Sequence, residues 1–161
     1  MGCGVGIAGI AAAVAGCRRV ILADRNPHAL RCASLGAAAN GLTVESLAAK
    51  DSTTVVTTAA LDWHDQNSAE CLSAQGPFDV LLACDVLAEA GVVGMTAAAS
   101  IAPIASLAHQ LLDRDGYMLF VVPAESPYRP PVDLPLVFDA FAAKSLMQNG
   151  EIVELRGAQL P

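Results

Sequence analysis

Charged and aromatic side chains are scarce in this chain of 161 residues, at 16% and 4% of the total. Nine Lys and Arg stand against sixteen Asp and Glu, giving a net charge of −7 and a pI near 4.7. A broad phosphate-binding surface needs the opposite balance, so nucleic acid is a poor fit as the main partner. Five cysteines (Cys3, Cys17, Cys32, Cys71, Cys84) stand singly, with no CxxC pair. An odd, dispersed set suits a reducing compartment and argues against a disulfide framework or a zinc site. The three histidines are equally scattered, so no metal is expected. No basic leader precedes the N-terminal apolar run, and glycines break it before it is long enough to span a membrane. Those absences make a cytoplasmic protein without a membrane partner the expectation. Internal repeats and linkers are missing too, which leaves residues 1–161 as one domain. Its 54% hydrophobic content is ample for a single core.

Glycine is plentiful where it has chemical meaning. The chain opens Met1-Gly2-Cys3-Gly4-Val5-Gly6, continues through small apolar residues to Gly16, and then reads Arg19-Val20-Ile21-Leu22-Ala23-Asp24. A glycine turn, a small-residue helix and a buried strand ending on a carboxylate make a nucleoside-binding unit. Glycines let the backbone approach a ligand at a helix N-terminus. An acid about 20 residues on is placed for a ribose hydroxyl pair. Two patterns overlap here. Gly2-x-Gly4-x-Gly6 is the GxGxG of S-adenosylmethionine (SAM) methyltransferases, and Gly4-x-Gly6-x-x-Gly9 satisfies the dinucleotide GxGxxG. Gly9 and Gly16 serve equally well as close-packing positions between helix and sheet.

Periodicity and punctuation predict helices over 5–15, 26–40, 103–114 and 134–148, the second capped by Asn26-Pro27 and stopped by Asn40-Gly41. Strands are predicted over 19–23, 53–59, 78–83, 117–122 and 151–156. Loops fill 43–51, 66–77, the latter with room for one helical turn, and a proline-rich stretch from 123 to 131. Alternating strands and helices imply an α/β fold with a mostly parallel sheet and helices on both faces. Ligands in such sheets lie beyond the strands' C-terminal ends. Three strands end on polar residues there: Asp24, Asp62-Trp63 and Asp85.

These pieces together resemble a class I (seven-β-strand) SAM-dependent methyltransferase, and more narrowly the protein-lysine methyltransferases of methyltransferase family 16. The matching pieces come in the family's order: Gly2-Cys3-Gly4-Val5-Gly6, Asp24-x-Asn26-Pro27, Ala39-Asn40-Gly41, Leu61-Asp62-Trp63, and residues 78–87 ending Cys84-Asp85-Val86-Leu87. The resemblance implies a Rossmann-like, doubly wound sheet with SAM as cofactor and a protein lysine or other nitrogen as methyl acceptor. It implies cofactor contacts from Gly2, Gly4, Gly6, Asp24, Arg25, Asp62, Trp63 and Ala83, with the ribose on Asp24 and the adenine near Asp62-Trp63. Asp85 takes the catalytic place, orienting or helping to deprotonate an ammonium. Simpler roles exist beside these: helix capping for Asp24 and Asp62, a hydrophobic plug for Trp63, a strand-end carboxylate for Asp85.

The chain departs from the family pattern in three places. The tyrosine of the family's D-x-x-Y is Ala88, which removes an aromatic wall and a hydroxyl from the acceptor channel. The family's first strand would precede Met1 and its last, antiparallel strand would follow Arg156. The expectation is therefore a domain lacking most of both, with strand edges open along residues 20–23 and 80–83. Two alternatives to an active methyltransferase follow: an inactive SAM-binding remnant acting through protein contact, and an NAD-dependent oxidoreductase. The latter explains the glycines and Asp24 but not Leu61-Asp62-Trp63.

Overall fold

The computed structural model of the chain describes residues 1–45, 55–87, 97–122, 137 and 139. Gly6, in the left-handed region at φ 87°, forms the N-cap of α1 (Ile7–Val14). That backbone turn, which favours glycine, starts the helix two residues later than the apolar run predicts. β1 (Arg19–Asp24) carries the strand one residue further than expected, onto the carboxylate itself. α2 (Pro27–Ala39) has the predicted ends: the Asn26 side chain accepts from His28 N at 2.9 Å, Pro27 is at N1, and Gly41 sits at φ 74° beyond the Asn40 cap.

Four predictions need correction. Residues 43–45, expected as loop, form β2 (Thr43–Glu45), held by parallel pairing to β3 (Val55–Ala60). Three residues are too few to show a period, so pairing and not pattern makes this strand. The loop expected over 66–77 begins instead with α3 (Gln66–Ser73). The Asp65 carboxylate accepts from Asn67 N and Ser68 N at 3.2 Å each, and the helix buries Ala69 and Leu72. The helix predicted from Pro103 is α4 (Ala97–Leu111), with Pro103 inside it. An interior proline removes one backbone bond; burial of Ile101, Ile104, Ala105, Leu107, Ala108 and Leu111 carries the helix through it. The last described strand, β5 (Leu112–Val121), starts five residues early. It pairs with β4 (Phe78–Cys84) in parallel, with an irregularity between Phe78 and Val80. At that crossing Gly116 comes so close that an added Cβ would stand 2.9 Å from the Phe78 and Asp79 carbonyl oxygens. The first two residues of the strand predicted from 53 lie outside the described residues, as do the proline-rich stretch and the strand at 151–156. So does the helix at 134–148, apart from Val137 and Asp139, both helical, of which Val137 is buried.

The architecture is mixed α/β, with parallel strands in two small sheets ordered β1-β3-β2 and β4-β5. β1 alternates between two apolar clusters. Val20 and Leu22 pack with Ile10 and Ala13 of α1 and Ala33 and Ala37 of α2. Ile21 and Ala23 join the larger cluster of Leu81, Ala83, Leu72 and the buried face of α4. The two sheets thus share a core although no ladder joins them among the described residues. What joins them is the N-terminal segment. Cys3 N donates to the Ala23 carbonyl of β1 at 2.9 Å, and Met1 N donates to the Leu82 carbonyl of β4 at 2.7 Å. At the opposite end the Arg19 guanidinium donates to the Gln75 carbonyl at 2.8 Å and to its side-chain oxygen at 2.5 Å. β1 and β4 therefore run in the same direction.

Candidate functional site

The polar strand ends gather around the N-terminal glycine turn. Gly2, Gly4 and Gly6 all have positive φ, at 61°, 53° and 87°. This left-handed series folds residues 1–6 back over the ends of β1 and β4, and Gly6 N closes it by donating to the Cys3 carbonyl at 2.8 Å. Each glycine has a different surrounding. A Cβ on Gly2 would lie 2.9 Å from Val86 Cγ1 and 3.2 Å from Trp63 Cζ2; one on Gly6 would meet Ala33 Cβ at 2.9 Å. Around Gly4 nothing lies within 4 Å of such an atom. Gly4 is thus the open face of the turn, while Gly2 and Gly6 are its packed faces.

Asp24 pins the turn to β1. Its Oδ2 accepts from Gly4 N at 2.8 Å and its Oδ1 accepts from Asn26 N at 2.9 Å. One carboxylate therefore fixes both the glycine turn and the entry to α2. Each oxygen has a further lone pair beyond these bonds, so the group can also receive donors from a ligand. Asp62 is tied locally: its Oδ1 accepts from His64 N at 2.9 Å, and its own N donates to Ser68 Oγ at 3.2 Å. The cap of α3 is Asp65, so the capping role open to Asp62 belongs to its neighbour. Trp63 is partly buried against the larger cluster and, through Gly2, borders the glycine turn.

Asp85 follows the end of β4 and has a left-handed backbone, φ 52°, uncommon outside glycine though tolerated by Asp. Its N donates to the Val121 carbonyl at 2.8 Å, so the carboxylate is presented from a turn fixed to β5. The next residue, Val86, is the one against Gly2. Sequence reasoning does not single out Val86, since nothing in an apolar residue after a strand marks it as a wall of the turn. It misses Ser68 as well, although Asp65-x-x-Ser68 carries a helix-start signal. Arg25 is exposed beside Asp24, and Ala83 is fully buried in the larger cluster, where its side chain has no surface for a ligand. Ala88 lies outside the described residues.

Two groups at the start of the turn are partly desolvated. Burial, the main cause, lowers the Met1 ammonium below its ordinary value, against the opposing pull of Cys3, Cys84 and Asp24. Burial, aided by the Asp24 charge, pushes the Cys3 thiol up to about 11. At pH 8 only about one in a thousand such thiols is ionised, against roughly a quarter for a free thiol of pKa ~8.5. A thiol-exchange titration is expected to find the four exposed cysteines reacting first and Cys3 at least ~10-fold later, until denaturant releases it. Five kinetically equal thiols in the folded chain would contradict that environment.

Among the described residues no group of three His, Cys, Asp or Glu is placed to hold a metal ion, and no helix is long and apolar enough to cross a membrane. What the arrangement offers is an open glycine backbone, a carboxylate with spare lone pairs, an indole and a second carboxylate at neighbouring strand ends. Neither a family model, nor a curated protein, nor a solved structure matches this chain.

Proposed function

We propose that this is a SAM-binding domain of the class I methyltransferase kind, with a Rossmann-like arrangement of its strands, that methylates a nitrogen, a protein lysine being the acceptor its motifs favour. The observation that carries the reading is the bond from Gly4 N to Asp24 Oδ2. It couples the glycine turn to the carboxylate that would receive a ribose, and Trp63 stands across Gly2 from the same turn. The residues present fit the cofactor. Gly4 leaves its approach open, Asp24 has lone pairs for two hydroxyls, and the indole offers a stacking face to adenine.

When bound, SAM supplies an electrophilic methyl group on a sulfonium. The chain's own task is then positional: to bring an uncharged amine into line and keep it there. Asp85 is the group for this, since it can accept a proton or a hydrogen bond from an incoming ammonium at the end of β4. Its turn, fixed through Val121, sets the direction of approach.

One observation favours a second reading. A Cβ on Gly9 would overlap Leu22 Cδ2, the close helix–strand packing that the third glycine of a dinucleotide fingerprint provides. Calorimetry with SAM, with its demethylated product and with NAD separates the two. Binding of SAM and its product in preference to NAD is expected; NAD binding more tightly than both would end the methyltransferase reading. Binding without methyl transfer to any lysine-bearing protein would leave a SAM-binding domain that acts by contact.

A further inference from the structure

We propose that Ser68 is a positioning residue for the adenine end of the site: its hydroxyl clamps the backbone beside Trp63 and so holds the indole towards the glycine turn. The inference rests on the SAM-binding reading above and adds to it a residue outside the motifs that carry that reading. Ser68 lies in the first turn of α3, three residues after the Asp65 cap. A polar side chain at that place ordinarily turns back to the amide of the cap. Ser68 does not, because the Asp65 amide donates to the Asp62 carbonyl at 3.1 Å. The hydroxyl reaches past the cap instead. Its oxygen accepts from Asp62 N at 3.2 Å and stands 3.0 Å from the carbonyl oxygens of Asp62 and Asp65, which share its one proton.

The clamp fixes the peptide planes on both sides of Trp63. The plane before it carries the Asp62 carbonyl, held by Ser68 Oγ and Asp65 N. The plane after it carries His64 N, which donates to Asp62 Oδ1 at 2.9 Å. Two fixed planes leave the residue between them little backbone freedom, so the direction of its side chain is set. The segment is also tied to the ribose half of the site: Leu61, fully buried, donates its N–H to the Asp24 carbonyl at 3.1 Å. Its aim is visible at Gly2, where an added Cβ would stand 3.2 Å from Trp63 Cζ2. Starting α3 does not require the bond to Asp62 N, since the Asp65 carboxylate already takes the Asn67 and Ser68 amides. What that bond holds is the loop before the helix. Asp24 and Ser68 thus secure the two halves of one site, the ribose half and the base half.

The test uses the full 161-residue chain with two ligands: S-adenosylhomocysteine, and S-ribosylhomocysteine, the same compound without its adenine. Ser68→Ala is expected to bind the first at least ~5-fold more weakly than the parent, as a stacked base is lost, and the second as the parent does. Ser68→Thr keeps the hydroxyl and is expected to bind both as the parent does. Trp63 is the chain's one tryptophan, so its fluorescence reports the clamp without any ligand. Acrylamide is expected to quench it more strongly in Ser68→Ala than in the parent or Ser68→Thr. Equal losses for the two ligands, unchanged binding and quenching in Ser68→Ala, or a threonine variant that behaves like alanine would overturn the role of Ser68 and leave the SAM reading standing. A parent chain that binds neither compound would overturn that reading, and this proposal with it.

Discussion

An Asp24→Ala variant is expected to bind SAM about 1.5–3 kcal/mol more weakly than the parent, roughly 10- to 150-fold, the usual range for hydrogen bonds to a charged group. The effect has two parts. The ligand loses the acceptor for its ribose hydroxyls, and Gly4 N and Asn26 N lose the oxygens that hold them at 2.8 and 2.9 Å. Asp24→Asn separates the parts. An amide keeps the shape but offers one oxygen, so it turns an NH2 towards one of the two backbone donors. It should therefore lose affinity as well. If calorimetry well below the melting temperature gave Asp24→Ala the parent's affinity for SAM, the carboxylate would be a pin for the turn and nothing more.

Gly6→Val is expected to lower the unfolding free energy by about 2–5 kcal/mol. A left-handed backbone costs a β-carbon roughly 1–2 kcal/mol, and forcing extra carbon into a packed site costs ~1–3 more. Both conditions hold at Gly6, which is buried at φ 87°. An added β-carbon there would find Ala33 Cβ, Leu22 Cδ1 and Ala33 Cα all within 3.3 Å. Leu22 is itself fully packed, so it has nowhere to retreat. Against a total stability of about 5–15 kcal/mol the loss is severe. Gly41→Ala is the control, because Gly41 has φ 74° but open space around it; it should lose the backbone part alone. Urea denaturation of the two variants checks this, and equal shifts in both would show that the contact with Ala33 carries no cost.

The parts of the fold that are legible in the sequence are those whose signals are local. β1 and β4 are built on the apolar runs 20–23 and 80–84, and α2 carries its cap, its proline and its terminal glycine in the sequence itself. β2 and α3 are not legible because what holds them lies elsewhere. β2 exists through its pairing with residues 55–57. α3 is mostly polar and buries only Ala69 and Leu72, too short a stripe to stand out from a loop. Pro103 reads as a helix start, since proline favours first turns, and the burial that overrides this signal is tertiary. The candidate site divides in the same way. The spacing from the glycines to Asp24 can be read directly and ends in a real bond, Gly4 N to Oδ2. The contact of Gly2 with Trp63 and Val86 joins segments far apart in the chain, and no spacing rule anticipates it.

Gly116 has a consequence for how this sequence can drift. Any β-carbon there would stand 2.9 Å from two carbonyl oxygens of β4, and those are backbone atoms that cannot swing aside as a side chain can. A single-base change in a glycine codon, if it substitutes another residue, always introduces a β-carbon. Position 116 therefore has no neutral neighbour one mutation away. Lineages that keep β4 and β5 paired as they are must keep glycine here, and a change at 116 persists only where the crossing of the two strands has been rebuilt first.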